Sequence, residues 1–270
     1  MQFQDYFPSF SEALATIYSK EESRILYRYF LEDFQERKVE NQAAEFKKVT
    51  EELKKGKPYQ QILGYTEFYG NRFFVDENVL IPRPETEELL ELAINKIRDS
   101  RFEIRDFKIL DIGTGSGIIP ITLKKYFPDT EISAIDISEK ALEIAQKNST
   151  FHKTRINFIQ SDYLNTNLTE KYDVIISNPP YICIDENTEI EDSVKGFEPN
   201  IALFSPTSDA LIFYRKIAKD CENHLNENGL FFLEINQKLG KETLELFRNF
   251  SESELVKDLS GNDRFVIGRK

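Results

Sequence analysis

The sequence predicts an α/β protein: a doubly wound, mostly parallel sheet whose last strand enters antiparallel, preceded by a small N-terminal helical domain and a linking β-hairpin. Three observations carry this. From Phe107 onward, short β-branched runs alternate with amphipathic helical stretches. A glycine-dense turn, Gly113-Thr114-Gly115-Ser116-Gly117, follows the first of these runs. The last two runs are separated only by Ser260-Gly261-Asn262-Asp263, which suits a hairpin.

In chain order, the opening is helical. Leu26, Tyr29, Phe30 and Phe34 recur at spacings of three and four, as do Phe46, Val49 and Leu53, with charged residues between them. Lys54-Lys55, then Gly56 and Pro58, end this pattern, so residues 1–55 are expected to form the helical domain. Residues 56–83 change period. Gln60 to Gly64 and Phe68 to Val75, with Gly70-Asn71 at the turn, predict a hairpin between two lobes. Ile81-Pro82-Arg83-Pro84-Glu85-Thr86-Glu87 then breaks the chain before a helix carrying Leu89, Leu90, Ala93, Ile94 and Ile97, the start of the main lobe, 84–270.

Strand and helix follow in turn. Lys108 to Ile112 precedes a helix to about Tyr126, and Glu131 to Asp136 a helix with Ala141, Leu142 and Ala145 on one face. Ile156 to Ile159 ends in Ser161-Asp162-Tyr163, and Tyr172 to Ile176 in Ser177-Asn178-Pro179-Pro180-Tyr181. Helices are expected around Ser208 to Cys221 and Lys241 to Phe250, with a strand from Gly229 to Ile235 between them. Leu255 to Leu259 and Arg264 to Ile267 form the closing pair.

Composition bounds the function. The 270 residues are 40% hydrophobic with 22 Phe and 12 Tyr, enough for a sizeable core. The charge-free stretch Ile112 to Leu123 is far short of the roughly 20 residues a membrane helix needs, and Met-Gln-Phe-Gln-Asp lacks the features of a signal peptide. Cys183, Cys221, His152 and His224 have no metal-ligand spacing, so no metal is expected and a reducing cytoplasm is the default. The net charge is −12; residues 1–57 hold 10 basic and 11 acidic side chains, so the remainder carries −11. That field disfavours nucleic acid as a direct partner.

The motif after the Tyr172 run is the chemical centre. In an open α/β sheet ligands bind just beyond the carboxyl ends of strands. Two prolines hold φ near −65° and donate no N–H, so the chain leaves the strand stiff and extended. The Asn178 side-chain oxygen and the Pro179 carbonyl can each accept an N–H of an amide or exocyclic amine, with the Tyr181 ring over its face. A plain Pro-rich turn would read the same, and what favours function is the upstream glycine loop.

That loop lacks the G-x-G-x-x-G spacing of a dinucleotide site and the Gly-Lys-Ser/Thr of a Walker loop. Its Asp111-x-Gly-x-Gly-x-Gly order, with Asp136 ending the next strand 23 residues after Gly113, resembles the S-adenosylmethionine loop of class I methyltransferases. Gly113, Thr114, Gly115, Ser116 and Gly117 would let the backbone approach the cofactor, Asp136 would accept both ribose hydroxyls, and Asp162-Tyr163 would meet the adenine amine and ring face, with Asn178 beside them.

Beyond this the chain resembles the release factor glutamine methyltransferases over nearly its full length. The resemblance rests on Pro58 to Gly64, Phe68-Tyr69-Gly70, Val79 to Glu87, the glycine loop, Asn178 to Ile182 and Phe197-Glu198-Pro199. It implies methyl transfer from S-adenosylmethionine to the side-chain nitrogen of the glutamine in the Gly-Gly-Gln motif of peptide-chain release factors. Asn178, Pro179, Pro180 and Tyr181 would contact substrate, and residues 1–55 would dock the release factor. Asn-Pro-Pro-Tyr is shared with adenine-N6 nucleic-acid methyltransferases and ribosomal protein glutamine methyltransferases, and those readings stay open, as does a non-catalytic S-adenosylmethionine-binding protein.

Overall fold

The structure, a computed structural model, describes residues 6–100, 107–182 and 196–270; Cys183 lies outside the described residues. The chain divides into two compact units, one running to Tyr65 with the short segment that ends at Phe197, the other comprising the remainder.

The first unit is helical: α1 (Phe7–Leu14), α2 (Lys20–Glu36), α3 (Gln42–Lys54) and α4 (Tyr59–Leu63). Helix α2 starts at a capping box, the Ser19 hydroxyl accepting from Glu22 N and the Glu22 carboxylate from Ser19 N. Asn41 caps α3 through Ala44 N. The apolar stripes meet in a core of Phe10, Leu14, Leu26, Phe30, Phe34, Phe46, Val49 and Leu53, each burial worth roughly 2 kcal/mol. Tyr59, Ile62 and Leu63 pack on this core, so the unit reaches beyond residue 55.

Two local expectations are corrected here. Gln60 to Gly64 is not the first arm of a hairpin: Pro58 starts the short helix α4 and Gly64, at φ 78°, ends it, its N–H bonded to Gln60 O. The hairpin is β1 (Tyr65–Phe68) and β2 (Asn71–Phe74), and its turn centres on Tyr69 and Gly70 instead of Gly70-Asn71. Tyr69 takes φ 50° and Gly70 φ 68°, and the Tyr69 N–H is held by the Glu87 carboxylate at 2.7 Å.

The second unit is built on a seven-stranded sheet in the order β5-β4-β3-β6-β7-β9-β8. Its strands are β3 (Lys108–Ile112), β4 (Glu131–Asp136), β5 (Asn157–Gln160), β6 (Tyr172–Ser177), β7 (Leu225–Glu234), β8 (Glu252–Lys257) and β9 (Asp263–Arg269). The first five run parallel, and β9 enters antiparallel between β7 and β8. The intervening helices are α5 (Pro84–Asp99), α6 (Ile118–Tyr126), α7 (Glu139–Phe151), α8 (Asn200–Leu203), α9 (Ile212–His224) and α10 (Gly240–Glu245).

Alternate side chains of each strand feed opposite layers. Val174 and Ile176 join Leu89, Leu90 and Phe232 on one face, while Ile175 joins Tyr214, Phe231 and Phe247 on the other. Strand order reverses at β3, which has β4 on one side and β6 on the other. Ile112 pairs with both Ile135 and Ser177, so the chain leaves three adjacent strands at one level, the place where such sheets bind ligands. Among the described residues, no helix is long and apolar enough to cross a membrane.

Candidate active site

A cleft of about 1380 Å³ opens at the carboxyl ends of β3, β4 and β6. Gly113, Gly115, Asp136, Asp162, Tyr163, Asn178, Pro179 and Pro180 all line it, so the residues expected from four separate loops converge there.

The glycine loop is shaped by its backbone. Gly113, Gly115 and Gly117 have φ of 76°, 54° and 80°, a region L side chains avoid. The N–H groups of Gly113 and Thr114 both bond Ile135 O, folding the loop over the end of β4. Gly115 faces open space, whereas a Cβ on Gly117 would sit 3.0 Å from Ala145 Cβ; that glycine serves helix packing against α7. Thr114 and Ser116 are buried and, with Gly117, do not line the cleft. The Ser116 carbonyl instead accepts from Asn148 Nδ2, whose amide also pairs with Phe74.

Beneath the loop lies Asp111, fully buried, with neither carboxylate oxygen meeting a hydrogen-bond donor among the described residues. Burial pushes its carboxyl up to about 7; the neighbouring Thr114 hydroxyl, close but outside hydrogen-bonding geometry, opposes this and the Asp136 charge adds to it. Asp136 is a different case. Its Oδ2 accepts from Gly115 N at 2.8 Å and its Oδ1 from Ser138 N at 2.9 Å. Burial raises its pKa while these backbone donors hold it down. The carboxylate both ties the glycine loop to β4 and lines the cleft.

Two aromatic residues are oriented differently from expectation. The Tyr163 ring, only 4% exposed, sits in the core layer with its hydroxyl donating to Asp220 Oδ2 at 2.6 Å and Lys216 Nζ 4.6 Å from the ring centre. It forms a wall of the cleft without offering a free face. The Asp162 carboxylate lines the cleft and accepts locally from Leu164 N and Asn165 Nδ2. Tyr181 does not line the cleft; it packs on the core layer that holds Tyr214 and turns its hydroxyl to Glu234 Oε1 at 3.4 Å.

Asn178 begins where β6 ends, and its Nδ2 donates to Thr86 Oγ1 at 3.1 Å. Thr86 in turn donates to Glu234 Oε2 at 2.8 Å. Glu234 is fully buried, and burial pushes its carboxyl up to about 7, against the opposing pull of Thr86 and Arg264. Sequence reasoning missed Thr86, Glu234 and the exposed, cleft-lining Ile137. The available signals were an acid inside the apolar run Leu230 to Ile235 and an apolar residue directly after the acidic strand end.

Residues 92–193 match the model of the methyltransferase small domain family. The chain is 43% identical to the release factor glutamine methyltransferase of Flavobacterium psychrophilum, over 98% of each chain. It is 40% identical to that of Bacteroides thetaiotaomicron over 81% of this chain and 78% of the relative. A crystal structure of a methyltransferase from Pyrococcus furiosus shares the fold, with a TM-score of 0.52 and 18% identity over 75% of this chain and 90% of that one. With this fold and 43% identity over nearly the full length of both chains, the chain belongs to the family of release factor glutamine methyltransferases, built on the class I methyltransferase fold.

Proposed function

We propose that the protein transfers a methyl group from S-adenosylmethionine to the side-chain amide nitrogen, N5, of the glutamine in the Gly-Gly-Gln motif of peptide-chain release factors. The observation that carries this is Asn178, at the rim of the cleft that Gly113, Gly115 and Asp136 also line, with its amide nitrogen already engaged by Thr86 and its oxygen left for a substrate N–H.

The cleft fits the cofactor on its own terms. Gly115 leaves open space where a side chain would stand, Ile137 gives apolar surface, and the Asp136 carboxylate lines the cleft. Gly113, Gly115, Asp136 and Ile137 would hold S-adenosylmethionine, Asp136 through the ribose hydroxyls. When bound, the cofactor supplies an electrophilic methyl on a sulfonium.

The protein's task is orientation. An amide nitrogen shares its lone pair with its carbonyl and is a poor nucleophile. The Asn178 oxygen and the Pro179 carbonyl, by accepting both N–H bonds of the substrate amide, aim that nitrogen at the methyl. No strong base is required: the nitrogen becomes acidic as it is methylated, and one of its two protons then leaves to solvent. Pro180 keeps the segment extended. A glutamine side chain offers little surface for discrimination, so we assign release-factor docking to residues 1–55, with 56–83 as linker and 84–270 as the methyltransferase domain. The compartment this reading implies is the cytoplasm, where release factors act.

The test is incubation with methyl-labelled S-adenosylmethionine and an intact release factor, followed by peptide mass analysis. A 14 Da gain on the motif glutamine, absent when that glutamine is replaced by alanine, is expected. No transfer to the release factor would overturn the reading.

A further inference from the structure

A carboxamide serves as an acceptor only if it is turned the right way, because its two ends are nearly equal in size and opposite in hydrogen-bonding sense. If Asn178 presented its NH₂ to a substrate amide nitrogen, donor would meet donor. The chain carries a device that decides between the two orientations.

Asn178 Nδ2 lies 3.1 Å from Thr86 Oγ1, and Thr86 Oγ1 lies 2.8 Å from Glu234 Oε2. The other oxygen of Glu234 faces the Tyr181 hydroxyl at 3.4 Å. Thr86 and Glu234 are 2% and 1% exposed, so water does not compete. Above its titration near 7 Glu234 is ionised and only accepts, and Thr86 has one proton, which must then point at Glu234. What Thr86 shows Asn178 is a lone pair, and only the NH₂ end of the amide can meet it. The oxygen end is then turned away from Thr86.

We propose that Thr86 and Glu234 are positioning residues that lock the Asn178 amide with its oxygen toward the substrate, a role resting on the reading of Asn178 as the acceptor of the substrate amide. The lock spans three elements: the first turn of α5, the end of β6 and the end of β7. It also accounts for a carboxylate kept in the apolar core, where an unpaired charge is costly and an apolar side chain would pack without it.

The test uses the full-length chain and has one readout independent of catalysis. Exchange of the Asn178 side-chain amide protons is followed by NMR, its resonances identified by their loss in Asn178→Ala, alongside kcat on an intact release factor and the Kd of S-adenosylmethionine. Thr86→Val removes the acceptor but keeps the shape. It is expected to speed Asn178 exchange by about tenfold or more and lower kcat by roughly 10- to 100-fold with an unchanged Kd, and Thr86→Ser is expected to restore both. Glu234→Gln can accept from only one of the two hydroxyls, so it should also speed exchange and lower kcat, by less.

Wild-type exchange in folded Thr86→Val, or failure of Thr86→Ser to rescue, overturns the proposal. If Thr86→Val does not fold, wild-type exchange and kcat in Glu234→Gln overturn it. Loss of exchange protection together with absent methylation by the wild-type chain supports the lock and removes the release-factor reading instead.

Discussion

The Glu198 carboxylate joins two parts of the chain 115 residues apart: Oε1 pairs with the Arg83 guanidinium at 2.6 Å and Oε2 accepts from Ile81 N at 2.9 Å. Its side chain is 1% exposed, Arg83 34%. Both residues come from the stretches on which the family resemblance rests, and the pair anchors the turn that starts α5, the helix that carries Thr86. Glu198→Ala strands the Ile81 N–H and the arginine. Solvent reaches Arg83 and moderates the loss, so we expect about 2 kcal/mol off the unfolding free energy by urea titration. A change near zero would mean the pair adds nothing to stability.

Asn178→Ala removes the proposed acceptor together with the bond from its Nδ2 to Thr86. Turnover should fall by roughly 100-fold while the Kd for S-adenosylmethionine stays within about twofold. Titration calorimetry and single-turnover methylation separate the two quantities, and wild-type turnover would take Asn178 out of the chemistry.

Asp136→Ala should weaken S-adenosylmethionine binding by about 1–3 kcal/mol, since it removes a charged acceptor from the cleft. It also frees the N–H groups of Gly115 and Ser138, so a lower melting temperature is expected with it. Lost stability without lost affinity would reduce Asp136 to a loop clamp.

Glu234 and Asp111 give a pH dependence of definite sign. Their carboxyls are held at about 7 in the fold, above ordinary values of 4.5 and 3.8, chiefly by burial. Between those values the folded chain keeps protons that the unfolded chain has lost. Their stabilising effect is therefore complete at acid pH and lost as pH rises through about 7. Glu234→Gln and Asp111→Asn should each flatten the fall in unfolding free energy between about pH 5 and 7.5, by at most 2–3 kcal/mol. A mutant-minus-wild-type difference independent of pH would contradict this.

Truncation after Tyr65 removes the helical unit at its compact boundary, which spares α4 from being cut off its core. Methylation of an intact release factor should collapse, with S-adenosylmethionine affinity retained and a smaller loss on a short Gly-Gly-Gln peptide. Equal losses on both substrates in a folded truncation would rule out docking.

The sequence by itself determined what is local and periodic. Spacings of three and four placed α2, α3, α5 and α7, though not the short α1, α4 and α8, and the β-branched runs placed β3 to β6. The last two runs, separated by four residues, could only return antiparallel. The motif residues Gly113, Asp136, Asp162 and Asn178 were legible because each stands just past a strand, and parallel strands bring such ends to one edge.

Tertiary structure decided which way side chains turn. Tyr163 and Tyr181 looked like ring faces for ligands, but each hydroxyl found a buried carboxylate, Asp220 or Glu234, from a strand or helix far along the chain. Gly117 was read as a cofactor glycine, and the fold adds a packing reason for it: a Cβ there would stand 3.0 Å from Ala145 Cβ. The orientation of Asn178 depends on Thr86 and Glu234, 92 residues before it and 56 after. Periodicity reports which face of an element is apolar; the partner of a buried polar atom is set only when distant strands and helices close around it, and each such atom must then be satisfied by whatever donor or acceptor the fold brings within reach.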